Sequence, residues 1–323
     1  MTGAPLLDVR DLRVDFRSRH RTVHAVAGVS LSVGPGETVG LVGESGSGKS
    51  TLGRAILGLA PISGGTVAFD GREITRLRGR ARRALALDLQ VVFQDPYSSL
   101  NPALKIRSIL TEPLRAVGGL SHEEATRRLD DLLDRVGLPA AADRYPGAFS
   151  GGQRQRLAIA RALMPSPKLV VCDEAVSALD LSVQAQVLNL LRELQWTYGL
   201  GYLFIGHNLD VVRFMSRRVV VLYRGRVMED GPADVIATRP RHPYTQALVA
   251  ATPVADPHLQ RQRRRPPADG RADTVTAAVT EQGCPFAPRC PHAAEVCRTR
   301  IPALTPAPDG GSVACHRYPD LLT

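Results

Sequence analysis

The stretch GESGSGKST, residues 43–51, constrains what this chain can fold into more than any other. It follows the apolar run Thr38-Val39-Gly40-Leu41-Val42 and fits G-x-x-x-x-G-K-[ST], with Gly43, Gly48, Lys49 and Ser50 in register. Glycines let such a loop take positive φ and turn backbone N–H groups inward onto a phosphate. Lys49 adds a mobile charge for β- and γ-phosphates, and the Ser50 hydroxyl is a ligand for Mg²⁺. Glu44, Ser45, Gly46, Ser47 and Thr51 complete the candidate cradle. The following residues, 51–57, read as a helix whose positive N-terminus faces the same phosphates. A plain glycine- and serine-rich turn is the bland alternative, but lysine and serine placed after a buried strand outweigh it. The stretch reads as a nucleotide triphosphate site.

At 323 residues the chain can hold one large domain or two smaller ones. An apolar fraction of 44% argues against global disorder. No run of about 18 apolar residues occurs, and MTGAPLLDVR lacks a basic-then-apolar leader pattern. The expectation is a cytosolic protein that reaches a membrane by docking to something in it. The net charge of +10 invites a nucleic-acid reading, with arginine clusters at 76–83 and 261–265. No basic helix with interleaved aromatics accompanies them, so solvated surface plus attraction to nucleotide and headgroups is favoured.

Along the chain, residues 7–42 alternate apolar and polar around the Gly34-Pro35-Gly36 turn, which predicts antiparallel strands ahead of the nucleotide strand. Residues 66–71 read as a strand and turn, 74–88 as a helix, and 98–167 as helical in texture, including a helix over 123–136. Leu169-Val170-Val171-Cys172 and Tyr202-Leu203-Phe204-Ile205 read as buried parallel strands separated by a helix over 183–194. Short strands follow at 218–223 and 226–229. The alternation predicts an α/β fold: a parallel sheet carrying the phosphate loop at its carboxyl edge, plus an antiparallel β subdomain. Domains are expected at 1–253, with a helical subdomain at about 98–167, then a linker at 254–282 and a cysteine-rich region at 283–323.

Two further stretches carry chemistry. Asp173-Glu174 ends a buried strand, where one carboxylate can hold Mg²⁺ and its neighbour can orient and deprotonate water. Ser150-Gly151-Gly152-Gln153 opens a helix over 157–163 and makes a second anion-binding N-terminus. One nucleotide in one chain has no evident need of two such termini. In a dimer, each chain can offer its second terminus to the nucleotide held by the other.

In order, GESGSGKST, Gln94 in VVFQDP, FSGGQRQR, VVCDEAVSALD and FIGHNLD resemble the motifs of ATP-binding-cassette ATPases over residues 5–250. The resemblance implies that Lys49 and Ser50 hold phosphate and Mg²⁺, and that Gln94 senses Mg²⁺ and the attacking water. It implies Asp173 as the Mg²⁺-side carboxylate, Glu174 as general base and His207 as the γ-phosphate contact. Ser150, Gly151, Gly152 and Gln153 would act in trans, with Asp180 linking the two sites across the dimer. Phe149, Ala175-Val176, Gly206 and Asn208 depart from the residues usual in the family, and none removes a catalytic group. For the adenine-stacking aromatic, Phe16 and His20 are the nearest candidates.

Residues 94–102 (QDPYSSLNP), 241–248 (RHPYTQAL) and the cysteine tail resemble the oligopeptide, dipeptide and nickel uptake subfamily. That implies an importer on the cytoplasmic face of the cell membrane, built from two ATPase chains, two permease chains and an external binding protein. Residues 94–101 would receive a short permease helix. The rival class is a soluble ATPase of the same fold that remodels nucleic acid or ribosomes; one cassette without large insertions, and the importer-like tail, speak against it. Cargo, and whether the partner ATPase is a second copy or a related chain, stay open.

Cys284, Cys290, Cys297 and Cys315 are spaced C-x5-C-x6-C-x17-C, with Cys172 apart in a strand. In a reducing compartment such clustering favours metal over disulfides. The spacing lacks the C-x2-C pairs of common zinc modules, while four thiolates also suit a 4Fe–4S cluster. The resemblance implies such a cluster; zinc and unmetallated thiols are the alternatives. The tail is expected to act as a staple whose loss leaves nucleotide binding almost unchanged.

Overall fold

The computed structural model describes residues 4–17, 22–117, 121–251, 282–308, 310–318 and 320. His20, Arg261–Arg265 and the expected linker, apart from Gln282, lie outside them.

β1 (Leu7–Arg17) and β2 (Thr22–Val33) pair antiparallel, with Leu7, Val9, Leu12 and Val14 turned to the core. Asp11, at φ 45°, sits where the register shifts between Val9 and Leu12, so the apolar residues stay on one face. β3 (Thr38–Val42) leaves this layer for a second sheet and feeds the phosphate loop and α1 (Lys49–Ile56). β4 (Gly64–Phe69) and β5 (Arg72–Glu73) return to the first sheet, whose order is β2-β1-β4-β5. α2 (Gly79–Asp88) leads into β6 (Leu89–Val92).

A helical portion follows, made of α3 (Pro96–Ser99), α4 (Ile106–Val117), α5 (His122–Arg135) and α6 (Gly151–Leu163). Ser121 and Glu124 form a reciprocal capping box that fixes the start of α5, next to the predicted boundary. Ile106, Ile109, Leu110, Leu129, Leu132 and Leu133 join the core formed by α6 and the second sheet.

The chain continues through β7 (Leu169–Asp173), α7 (Leu181–Tyr198), β8 (Gly201–Gly206), α8 (Leu209–Met215), β9 (Arg218–Tyr223) and β10 (Arg226–Pro232). α9 (Ala233–Thr238) and α10 (Pro243–Ala251) come next, then α11 (Glu295–Thr299), β11 (Thr305–Pro306) and β12 (Ser312–Val313). The second sheet has eight strands in the order β11-β12-β10-β9-β3-β8-β7-β6, and the run β9-β3-β8-β7-β6 is parallel. Its central strands are apolar throughout because both faces are covered. Val39, Leu41, Leu169, Val171, Leu203 and Ile205 face α1 and the first sheet, while Val42, Val170, Cys172, Tyr202 and Phe204 face α6, α7 and α8.

The structure departs from the sequence expectations in three places. The helix expected over 74–88 begins only at Gly79, and the short strand β6 directly after it was not anticipated. β12 pairs with β10 through Glu229↔Val313 and Asp230↔Ser312, so the C-terminal extension continues the sheet that carries the phosphate loop.

Candidate nucleotide site

The phosphate loop is held by close backbone packing. A Cβ on Gly43 would lie 2.1 Å from Leu222 O, and one on Gly48, at φ 102°, would lie 2.3 Å from Ala25 O. Both positions therefore require glycine. Arg224 and Gly225, at φ 46° and 76°, make the tight turn between β9 and β10. From that turn the Gly225 N–H donates to Ser47 O at 2.8 Å.

Lys49 is nearly buried, and its Nζ donates to Gly43 O at 2.7 Å and Glu44 O at 2.9 Å. The ammonium thus lies over the loop carbonyls. Burial lowers its pKa, against the opposing charges of Glu174, Asp173 and Glu44.

Ser50 Oγ donates to Asp173 Oδ1 at 2.7 Å. Burial raises the Asp173 carboxyl pKa, and the Ser50 hydrogen bond opposes that rise. Glu174 follows at φ 51°, its N–H donating to Ile205 O at 3.0 Å. A non-glycine residue in this region is strained by about 1–3 kcal/mol, a cost that concentrates at functional sites. The turn aims the Glu174 carboxylate at His207, with Nδ1 3.2 Å from Oε2. β6 pairs with β7 up to Val92↔Cys172, so Phe93 and the exposed Gln94 leave β6 at the level where Asp173 and Glu174 leave β7. The P-loop, Lys49, Ser50, Asp173, Glu174, His207 and Gln94 therefore converge at the carboxyl edge of the parallel strands.

The second helix terminus has neighbours of its own. Ser150 caps α6: its Oγ accepts the Gln153 N–H, and Gln153 Oε1 accepts the Ser150 N–H. A Cβ on Gly151 would find Tyr97 Oη at 3.7 Å, and one on Gly152 would meet Val183 Cγ1 at 2.3 Å. Their neighbours are thus α3 and the start of α7, not the phosphate loop. Asp180 caps α7, with Oδ1 accepting the Val183 N–H at 2.9 Å, so it joins the Gly152 surface. The residues that depart from the family pattern have local roles: Ala175 and Val176 are buried, Arg144 lies over the Phe149 ring, and Asn208 caps α8. Phe16, at the end of β1, is 45% exposed.

Cys284, Cys290, Cys297 and Cys315 line one pocket with His242 and His316. The Cys284 N–H donates to Cys297 O at 2.8 Å, which ties two of the four together. Burial pushes the Cys284 thiol up to about 11 and also raises those of Cys290 and Cys315. Cys172, fully buried in β7, is pushed up to about 12 and stands apart, as expected. Among the described residues, no group of three or more Cys, His, Asp or Glu side chains is arranged to hold a metal ion.

The RHPYT segment, in the sequence only a mark of the subfamily resemblance, has a structural role at the phosphate loop. Buried Glu229 accepts the Arg241 and His242 N–H groups at 3.0 Å each, and His242 Nδ1 accepts the Tyr244 N–H at 2.9 Å. Tyr244 Oη in turn accepts the Glu44 N–H of the phosphate loop at 2.9 Å. Only the compact polar-aromatic composition of the segment signalled this.

Two family models match the chain: ABC transporter over residues 26–177, and oligopeptide/dipeptide transporter, C-terminal region, over residues 228–297. A probable peptide ABC transporter ATP-binding protein of Sinorhizobium fredii is 48% identical over 93% of this chain and 84% of its own length. A putative peptide import ATP-binding protein of Brucella abortus is 46% identical over 95% of this chain and 92% of its own. Among solved structures, the ATP-binding cassette MJ0796, dimeric and bound to ADP and Pi after hydrolysis, superposes with TM-score 0.64 at 28% identity, covering 70% of this chain and 98% of that one. The protein cbiO1 of Clostridium perfringens, part of the ABC transporter complex cbiONQ, gives 0.66 at 29% identity, covering 74% of this chain and 93% of that one. With its phosphate loop, strand-end carboxylates and capped second helix terminus in one sheet-based cassette, the chain belongs to the ABC transporter family as an ATP-hydrolysing subunit of the oligopeptide/dipeptide type.

Proposed function

We propose that this chain hydrolyses ATP to power peptide import through a membrane transporter. The observation that carries the reading is the union, in one sheet, of the Lys49–Ser50–Asp173–Glu174–His207 cluster with β10, where the segment matched by the oligopeptide/dipeptide model, residues 228–297, begins. Lys49 leaves the loop carbonyls for the β- and γ-phosphates, and the loop N–H groups donate hydrogen bonds to the phosphate oxygens. Ser50 and Asp173, with Gln94 as a further ligand, would hold Mg²⁺, which would supply charge neutralisation for the phosphates. Glu174 orients the attacking water and takes its proton, while His207 holds the Glu174 carboxylate and contacts the γ-phosphate.

The Ser150–Gln153 terminus and Asp180 serve the partner chain's nucleotide. The packing of Gly151 and Gly152 against α3 and α7, and the dimeric ADP-bound cassette among the similar structures, support that role. The assembly is two ATPase chains on two permeases, with an external binding protein delivering cargo and this chain on the cytoplasmic face. No helix among the described residues is long and apolar enough to cross a membrane, which agrees with a subunit held at the membrane by its partners. The domain division keeps 1–253 as the cassette, 254–282 as linker and 283–323 as the cysteine-rich extension.

In that extension Cys284, Cys290, Cys297 and Cys315 are the ligands of a 4Fe–4S cluster. What supports this reading is that the four thiols line one pocket, as the four-thiolate ligand set of such a cluster requires. The cluster, where bound, supplies the cross-links that a short, core-poor segment lacks. Purifying the intact complex and identifying its subunits tests the assembly: two permeases of a peptide importer support it, and a nucleic-acid or ribosomal partner contradicts it.

A further inference from the structure

The C-terminal extension reaches the phosphate loop directly. Arg289, one residue before Cys290, pairs with Glu44 in a two-pronged ion pair: Nη1 to Oε2 at 2.8 Å and Nη2 to Oε1 at 3.0 Å. Glu44 is the second residue of the phosphate loop, 245 residues away in sequence. Its other polar groups are also engaged: the N–H by Tyr244 Oη and the carbonyl by Lys49 Nζ. One loop residue is thereby held at three points, two of them from outside the cassette motifs.

Both outside contacts are built on a rigid base. The rings of Tyr223 and Tyr244 lie 4.5 Å apart, and Phe286 stands 5.4 Å from Tyr244 and 5.5 Å from Tyr223. The Arg289 guanidinium lies 5.6 Å from the Phe286 ring and 5.9 Å from that of Tyr223. Tyr244 and Phe286 are buried, and Glu229 anchors the segment that carries Tyr244. An exposed ion pair alone contributes little, but forked geometry on an aromatic base loses less side-chain entropy in forming.

We propose that Arg289, from the C-terminal extension, and Tyr244, from α10, are positioning residues of the phosphate loop that set its affinity for ATP. Pinning Glu44 holds the loop in place before nucleotide arrives, which removes an ordering cost from binding. Pairing its carboxylate with Arg289 also spares the triphosphate a nearby uncompensated negative charge. The proposal rests on residues 43–51 being the triphosphate cradle.

The test titrates the purified full-length chain with a fluorescent ATP analogue and follows the thermal unfolding midpoint alongside. Arg289→Ala is expected to raise the Kd about three- to tenfold, with Arg289→Lys between it and the parent because an ammonium cannot fork. Tyr244→Phe keeps the ring stack, removes only the acceptor for the Glu44 N–H, and should raise the Kd about two- to fivefold. On a Glu44→Gln background, Arg289→Ala should change the Kd less than about twofold, because its partner charge is already gone. In the assembled transporter the loss should fall on KM for ATP. An unchanged Kd in Arg289→Ala, or an equal rise on both backgrounds, overturns the proposal. Unchanged affinity in Lys49→Ala overturns the cradle itself.

Discussion

Ser50 Oγ donates a 2.7 Å hydrogen bond to Asp173 Oδ1, joining the first turn of α1 to the end of β7 across 123 residues of chain. The contact sets a hydroxyl and a carboxylate side by side next to the phosphate loop, as a hard divalent cation beside two phosphates requires. Asp173→Ala should raise the Mg²⁺ concentration for half-maximal ATP turnover at least about tenfold, with turnover lower by about two decades. Titrating turnover against Mg²⁺ checks this, and an unchanged Mg²⁺ requirement removes Asp173 from that role.

Glu174→Gln keeps the shape of the strained turn and removes the proton acceptor. ATP binding should persist while hydrolysis falls by about two to three decades, a barrier rise of roughly 3–4 kcal/mol. ATP-trapped dimers should accumulate on size-exclusion chromatography. Near-parental hydrolysis would take Glu174 out of the base role.

Ser150→Arg places a bulky cation at a helix terminus that packs against α3 and α7. It should block the partner's nucleotide site and leave this chain's own ATP affinity within about twofold, apart from a helix-cap loss of about 1 kcal/mol in stability. Mixed complexes with one altered subunit separate the two sites. A collapse of affinity at the altered chain's own phosphate loop would refute action in trans.

The cysteine pocket gives a metal prediction. Protein purified without oxygen should be brown, absorb broadly near about 400 nm, and carry about four irons and four sulfides per chain. Replacing any one of Cys284, Cys290, Cys297 or Cys315 by serine should lower the iron content and increase protease sensitivity beyond Pro253, whereas Cys172→Ser should leave metal content alone. One zinc and no iron would make the pocket a zinc staple, and four titratable thiols without metal would remove the cluster. The expectation that the tail is separable from the nucleotide site is revised by the Arg289–Glu44 pair. The serine variants should raise the ATP Kd as far as Arg289→Ala does.

The nucleotide half of the molecule was legible in the sequence because its signals are local. A glycine loop after an apolar strand, two carboxylates at a strand end and a Ser-x-x-Gln helix start each declare a backbone geometry within a few residues. Helical texture over 98–167 was legible for the same reason, including the helix expected over 123–136, whose start the structure fixes with the capping box at Ser121. β6 escaped notice because four residues after an arginine- and leucine-rich helix carry too little periodicity to read. The joining of β12 to β10, and the grip of Tyr244 and Arg289 on Glu44, involve partners that sequence spacing does not connect.

The most direct test of the central claim is uptake of labelled di- and oligopeptides into vesicles containing the intact transporter, supplied with ATP on the side bearing this subunit. The account predicts accumulation that requires ATP, is accompanied by peptide-stimulated hydrolysis, and is abolished by Glu174→Gln in this chain. Peptide accumulation that proceeds undiminished with Glu174→Gln, or hydrolysis indifferent to every peptide while another solute accumulates, would contradict it.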